Sequence, residues 1–203
     1  VIGLFDNAGV AQQGNIFDAR KLLIAGERRG ERELADQPLA HAELLGVIAR
    51  LRLGLGDYQD ALALIERQDA LLSQLNAVPP GLRLEAVTQH GRALDLLDRS
   101  RECLQVMAAG EAMLSGLRAT QSLPEADFLS QYGRCHRLLG QRQAARELYG
   151  RSLSLRRTLK DQAGVAQNLY DLALLDNDMG RSEQALAGFD QALAHLHKHV
   201  GKQ

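Results

Sequence analysis

The chain has 203 residues, a formal net charge of −1, and 45% hydrophobic but only 4% aromatic residues, with no tryptophan. Leu and Ala supply 66 residues against 16 from Val, Ile and Thr, which excludes a sheet-rich sandwich or barrel, and the balance of apolar and charged residues excludes wholesale disorder. The near-zero charge argues against a broad nucleic-acid footprint, and no run of about 18 apolar residues is present to span a membrane.

In chain order, residues 1–12 hold a helix weakened by Gly3, Asn7 and Gly9, and a second helix follows over 15–34. Helices are then predicted over 38–55, 57–75, 81–97, 99–117, 124–139, 141–159, 161–178 and 181–198. Pro38, Pro80 and Pro124 mark three starts, because a first-turn proline gives up an N–H that has no intrahelical partner anyway. Asp161 takes the corresponding start position as an N-cap. The two cysteines are too few for a disulfide framework. They point to free thiols at Cys103 and Cys135 in a reducing, cytoplasmic compartment, and no signal peptide is visible.

The helices repeat in pairs. Anchors between paired helices stand at Gly14, Gly56, Asp98, Gly140 and Gly180, giving intervals of 42, 42, 42 and 40 residues. Five residues after each anchor stands a small residue: Ala19, Ala61, Cys103, Ala145 and Ala185. Nine after stands a large one: Leu23, Ile65, Met107, Tyr149 and Phe189. Seven before stand Asn7, Ala49, Gly91, Gly133 and Ala173. Small residues let paired helices approach, and the large ones fill the space between them. A glycine anchor suits the left-handed residue that ends a helix.

Gly56-Asp57-Tyr58 followed by Ala61, with the other copies in phase, resembles the tetratricopeptide repeat. The period is longer than is usual for that family and is similar to its long-helix variant in bacterial signalling proteins. The resemblance implies an all-α, right-handed superhelical solenoid of antiparallel helix pairs. About five repeats are expected, over residues 1–36, 38–78, 80–120, 124–160 and 161–200, as one domain spanning 1–203. It also implies a non-catalytic module that binds a protein or peptide segment in its concave groove. The alternative is a regulatory domain that senses a peptide or small ligand by changing curvature. Residues 22–38 resemble the opening of the repeat region attached to some bacterial kinases and transcriptional regulators, although no kinase motif is present. The apolar start at Val1 and the end at Gln203 both lack a polar cap, which fits excision from a longer chain or end-to-end self-association.

In such a solenoid the first helix of each pair lines the concave side. Arg50, Arg92 and Arg134 share one register position there, and Glu43, Glu85 and Asp127 share another, with Gln167 in the last copy. The two rows either pair with each other or leave arginines for a partner's carboxylates. Thr88, Gln89, Ser130, Gln131, Tyr170 and Asp171 are hydrogen-bonding groove candidates suited to an extended peptide backbone, with Arg137 and Asn177 one turn further on. Neither a catalytic set nor a phosphate loop emerges, and no cofactor or metal is expected. His195, His197 and His199 alternate, so on a helix they point to different faces.

Overall fold

The computed structural model describes residues 18–114 and 122–199, and every described element is helical. In order these are α1 (Ala19–Glu33), α2 (Pro38–Gly54), α3 (Tyr58–Ser73), α4 (Pro80–Leu96) and α5 (Ser100–Gly110). They continue as α6 (Leu123–Leu138), α7 (Arg142–Thr158), α8 (Gln162–Asp178) and α9 (Ser182–His199), and a 3₁₀ turn, Glu111–Met113, extends α5. The helix expected over 99–117 therefore loses its α geometry at Gly110. An added Cβ at that residue would lie 2.7 Å from Val87 and 2.9 Å from Phe128. A glycine is needed for this close approach, and it is a poor helix former. The helix expected over 1–12, its Asn7, the anchor Gly14, residues 15–17 of the next expected helix and residues 115–117 lie outside the described residues.

Helix starts follow local chemistry. Asp18 accepts from the backbone N–H groups of Arg20 (3.1 Å) and Lys21 (3.4 Å). Asp161 accepts from that of Gly164 at 2.9 Å. Pro38, Pro80 and Pro124 all fall in first turns. Between paired helices the anchors are left-handed: φ is +82° at Gly56, +58° at Asp98, +70° at Gly140 and +73° at Gly180. At each, the next residue's N–H reaches back to a carbonyl five positions earlier: Asp57 to Arg52, Arg99 to Leu94, Gln141 to His136 and Arg181 to Asp176. This is the Schellman closure, which satisfies carbonyls that the helix end leaves unpaired. Lys160, with φ +59°, makes the same closure between α7 and α8.

The helices pack as antiparallel pairs, α2 with α3, α4 with α5, α6 with α7 and α8 with α9, while α1 lies on α2 as the second helix of a preceding pair. Pairing rests on the small and large positions seen in the sequence. A Cβ on Gly91 would sit 2.5 Å from Met107 Sδ, and one on Gly133 would sit 2.8 Å from a Tyr149 ring carbon. Ala49, Ile65, Met107 and Tyr149 are fully buried. Salt bridges hold α1 in place, with Arg20 on Asp57 at 2.9 Å and Arg67 bridging Glu27 (2.5 Å) and Glu31 (2.6 Å).

One correction concerns the cysteines. Instead of two free thiols, Cys103 on α5 and Cys135 on α6 form a disulfide, with Cα atoms 5.8 Å apart. Both are fully buried. Cys103 occupies the small position of its repeat and Cys135 lies on the facing side of α6, so the stacking of successive pairs brings them together. That contact is invisible when each repeat is read alone.

The backbone geometry sets opposite signs for two substitutions. No atom lies within 4 Å of a Cβ built on Gly140, so Gly140→Ala carries only the left-handed strain, about 1–2 kcal/mol. Asp98→Gly removes such strain and stabilises by about 0.5–1 kcal/mol. Thermal melts should show a lower midpoint for the first variant and a higher one for the second. The disulfide closes a separation of 32 residues, for which the chain-entropy relation gives about 3–4 kcal/mol. Unreduced, denatured protein should show no titratable thiol, and Cys103→Ala with Cys135→Ala should melt roughly 10 °C lower. Two thiols in unreduced protein would overturn the pairing.

Candidate functional site

A concave cavity of about 430 Å³ opens across the first helices α2, α4, α6 and α8. Eleven of the groove candidates line it: Arg50, Glu85, Thr88, Gln89, Arg92, Asp127, Ser130, Gln131, Arg134, Gln167 and Asp171. Glu43 and Tyr170 do not. Glu43 is exposed away from the cavity. Tyr170 turns to α9, where its ring centroid lies 5.4 Å from that of Phe189. Arg137 is likewise engaged elsewhere, on Asp178 at 2.6 Å.

The charged rows pair incompletely. Arg50 reaches Glu85 of the next pair at 2.6 Å. Arg134 lies 3.3 Å from Asp171 and 3.7 Å from Asp95. By register, Arg92 would take Asp127, but Arg156 of α7 holds that carboxylate at 2.5 Å and also pairs with Asp161. Arg92 is exposed and makes no ion pair or hydrogen bond with the described residues. Of the three arginines in the row, it alone is left in that position among the described residues.

The groove floor is polar and ordered. Ser152 donates to the Ala126 carbonyl at 2.7 Å, and the Asn168 amide donates to Ser130 Oγ at 2.9 Å. The Thr88 hydroxyl donates to the Leu84 carbonyl at 2.7 Å. Gln131 reaches Asp95 at 3.3 Å and Gln89 reaches Glu85 at 3.3 Å, leaving the buried Gln89 Oε1 with no donor among the described residues. His90, on the other side of α4, hydrogen-bonds Asp69 at 2.8 Å, and His195 bonds Gln162 Oε1 at 2.8 Å.

Burial shapes the electrostatics. Asp171 is 3% exposed. Removal from water pushes its carboxyl above the ordinary value, although Arg134 and Gln167 oppose the shift. For Arg134, burial acts to lower the guanidinium, but the charges of Asp171 and Asp95 outweigh it and the net shift is upward. Burial likewise drives the Tyr149 phenol well above its usual range.

Sequence reasoning missed Arg156, Asp95, Leu53 and the lip formed by Leu123 and Pro124. Arg156 did leave a signal. Sixteen residues after successive anchors stand Leu72, Leu114, Arg156 and Leu196, so one charge interrupts a leucine position.

Antiparallel helix pairs, stacked in register with a polar inner face, define a helical-repeat solenoid. Residues 125–197 match the tetratricopeptide repeat family. Solved structures share the fold, three of them as follows. BtubC (BKLC) from P. vanneervenii is 19% identical, with a TM-score of 0.73 over 90% of this chain and 75% of that one. A thermophilic TPR protein of Thermus thermophilus is 24% identical, with a TM-score of 0.61 over 90% of this chain and 88% of that one. MamA from Desulfovibrio magneticus RS-1 is 15% identical, with a TM-score of 0.61 over 88% of each. At these identities the likeness is one of fold. No curated protein matches the chain by sequence. The tetratricopeptide-repeat match covers about a third of the chain, and helix pairs of the same solenoid fold precede it through α2 to α5. Proteins of this fold generally mediate protein–protein interaction and are typically non-catalytic scaffolds. Among the described residues no helix is long and apolar enough to cross a membrane.

The raised Asp171 value fixes the sign of a pH effect. A carboxyl whose folded value lies above its unfolded one contributes stability below the unfolded value. That contribution is lost as pH rises through the folded value. Melts of wild type and Asp171→Asn across the acid-to-neutral range should show the wild type losing ground relative to the variant as pH rises. A gap that moves the other way would show that Arg134 dominates the site.

Proposed function

We propose that the chain forms one solenoid over 1–203 and is a non-catalytic interaction module that binds a protein segment along its concave groove. The observation that carries this is the polar cavity onto which four successive first helices direct hydrogen-bonding and charged side chains. Floor residues held by internal hydrogen bonds offer a preformed surface, so little ordering cost falls on this side of the complex. The partner is a protein or peptide, and neither nucleic acid nor membrane is required. The setting we propose is a bacterial signalling or regulatory protein, in line with the family resemblance of residues 22–38. The reducing cytoplasm expected from free thiols does not sit with the buried Cys103–Cys135 disulfide, because such bonds are rare in a reducing cytosol. A second reading, a sensor of a small ligand or peptide that responds by changing curvature, draws on the cavity volume, which falls in the range of small-molecule sites.

The test is a photoreactive residue placed at Thr88 in the groove or at the exposed Arg151 on α7, in the source cells. Discrete protein adducts from position 88 and none from 151 support the module. Equal labelling from both positions, or none from 88, defeats it. A retained small molecule seen by native mass spectrometry, with no adduct at 88, would favour the sensor.

A further inference from the structure

The groove has two unmet ends, and together they describe what fits. Along α6 the lining runs from its start through an apolar lip, Leu123 and Pro124, then Asp127, Ser130, Gln131 and Arg134, and α4 repeats the polar part of that order as Glu85, Thr88, Gln89 and Arg92. The charged and hydroxyl groups in the middle of this order are largely satisfied internally. Glu85 holds Arg50, Asp127 holds Arg156, Asp171 holds Arg134, and Ser130 bonds Asn168. At one end Arg92 has no partner among the described residues. At the other, Leu123 is 47% exposed beside Pro124 and lines the same cavity.

Resting on the groove reading above, we infer that the occupant is an extended peptide segment that seats one carboxylate on Arg92 and one apolar side chain on Leu123 and Pro124. Arg92 stands six residues before its anchor and Leu123 seventeen before its own. At 1.5 Å per helical residue the two levels lie about 16 Å apart along the helix axes, and the step from α4 to α6 adds roughly 10 Å sideways, for about 19 Å in all. An extended chain covers that in about six residues. A run of acids does not fit, because Glu85, Asp127 and Asp171 line the intervening stretch and like charges brought together repel. An aliphatic side chain on the lip covers an apolar patch that otherwise faces water.

The test selects a displayed library of random octapeptides on the full chain and on three variants: Arg92→Glu, Leu123→Asp and Thr88→Trp. Circular dichroism first confirms that each is folded. Arg92 and Leu123 are both exposed, so their substitution should leave the melting point nearly unchanged. Wild type should enrich a single Asp or Glu about six positions from an apolar residue. Arg92→Glu should replace that acid with Lys or Arg and weaken a wild-type peptide at least tenfold. Leu123→Asp should remove the apolar preference. Acid enrichment that survives Arg92→Glu, while Thr88→Trp abolishes binding, overturns the inference and leaves the groove reading standing. Binding that survives Thr88→Trp overturns the groove reading itself. Failure to select any peptide on wild type overturns the inference.

Discussion

The close approach of paired helices at Gly91 and Gly133 is the constraint from which the groove follows. A side chain at either would collide with Met107 or Tyr149, which fill the space a Cβ would need. Each large residue is fully buried there and contributes on the order of 2 kcal/mol of apolar burial. The contact sets the distance and the facing sides within a pair. Because the same contact recurs in phase, each pair stacks on the next with its first helix on the same side. The polar residues on the free side of those helices then line up as one continuous surface. Nothing in the groove has to bring its members together, since the helix pairing has already done so.

The left-handed turns supply the second half of this geometry. Each reverses the chain in two or three residues while closing the carbonyls at the end of the first helix. Asp98 shows that the conformation is demanded by the fold and is not a consequence of glycine. An L-residue with a short polar side chain takes it at some cost, because the pairs on either side fix the path. The disulfide adds a covalent link between the second and third described pairs, under the part of the groove where Gln131 lies 3.9 Å from both sulfurs.

Groove electrostatics is a competition for carboxylates. Three arginines at equivalent positions do not behave alike. Arg50 is neutralised by the neighbouring pair. Arg134 is half-buried between two acids. Arg92 is released because Arg156 arrives first at Asp127. A buried guanidinium strongly favours a charged partner, since leaving it uncompensated is costly. Arg156 is 8% exposed, so it holds Asp127 more firmly than the solvated Arg92 can. The groove that results is nearly neutral, and among its described arginines Arg92 is the free cation. That feature discriminates among partners by charge placement more than by total charge.

Local and periodic properties were readable from the amino-acid order alone. Among the described residues the repeat interval, most helix bounds apart from the end of α5, the turn anchors and the small and large packing positions all depend on neighbours within one pair. The tetratricopeptide-repeat fold followed from them, as did the side of each first helix that faces inward. What the tertiary structure decided involves side chains far apart in sequence. Arg156 meets Asp127 from the second helix of its pair, Cys103 meets Cys135 across two pairs, and Tyr170 leaves the groove for Phe189. Register places a side chain on a face, but reach, burial and competition between neighbours determine its partner. For that reason the amino-acid order identified a row of three groove arginines, and only the packed solenoid showed which one is free.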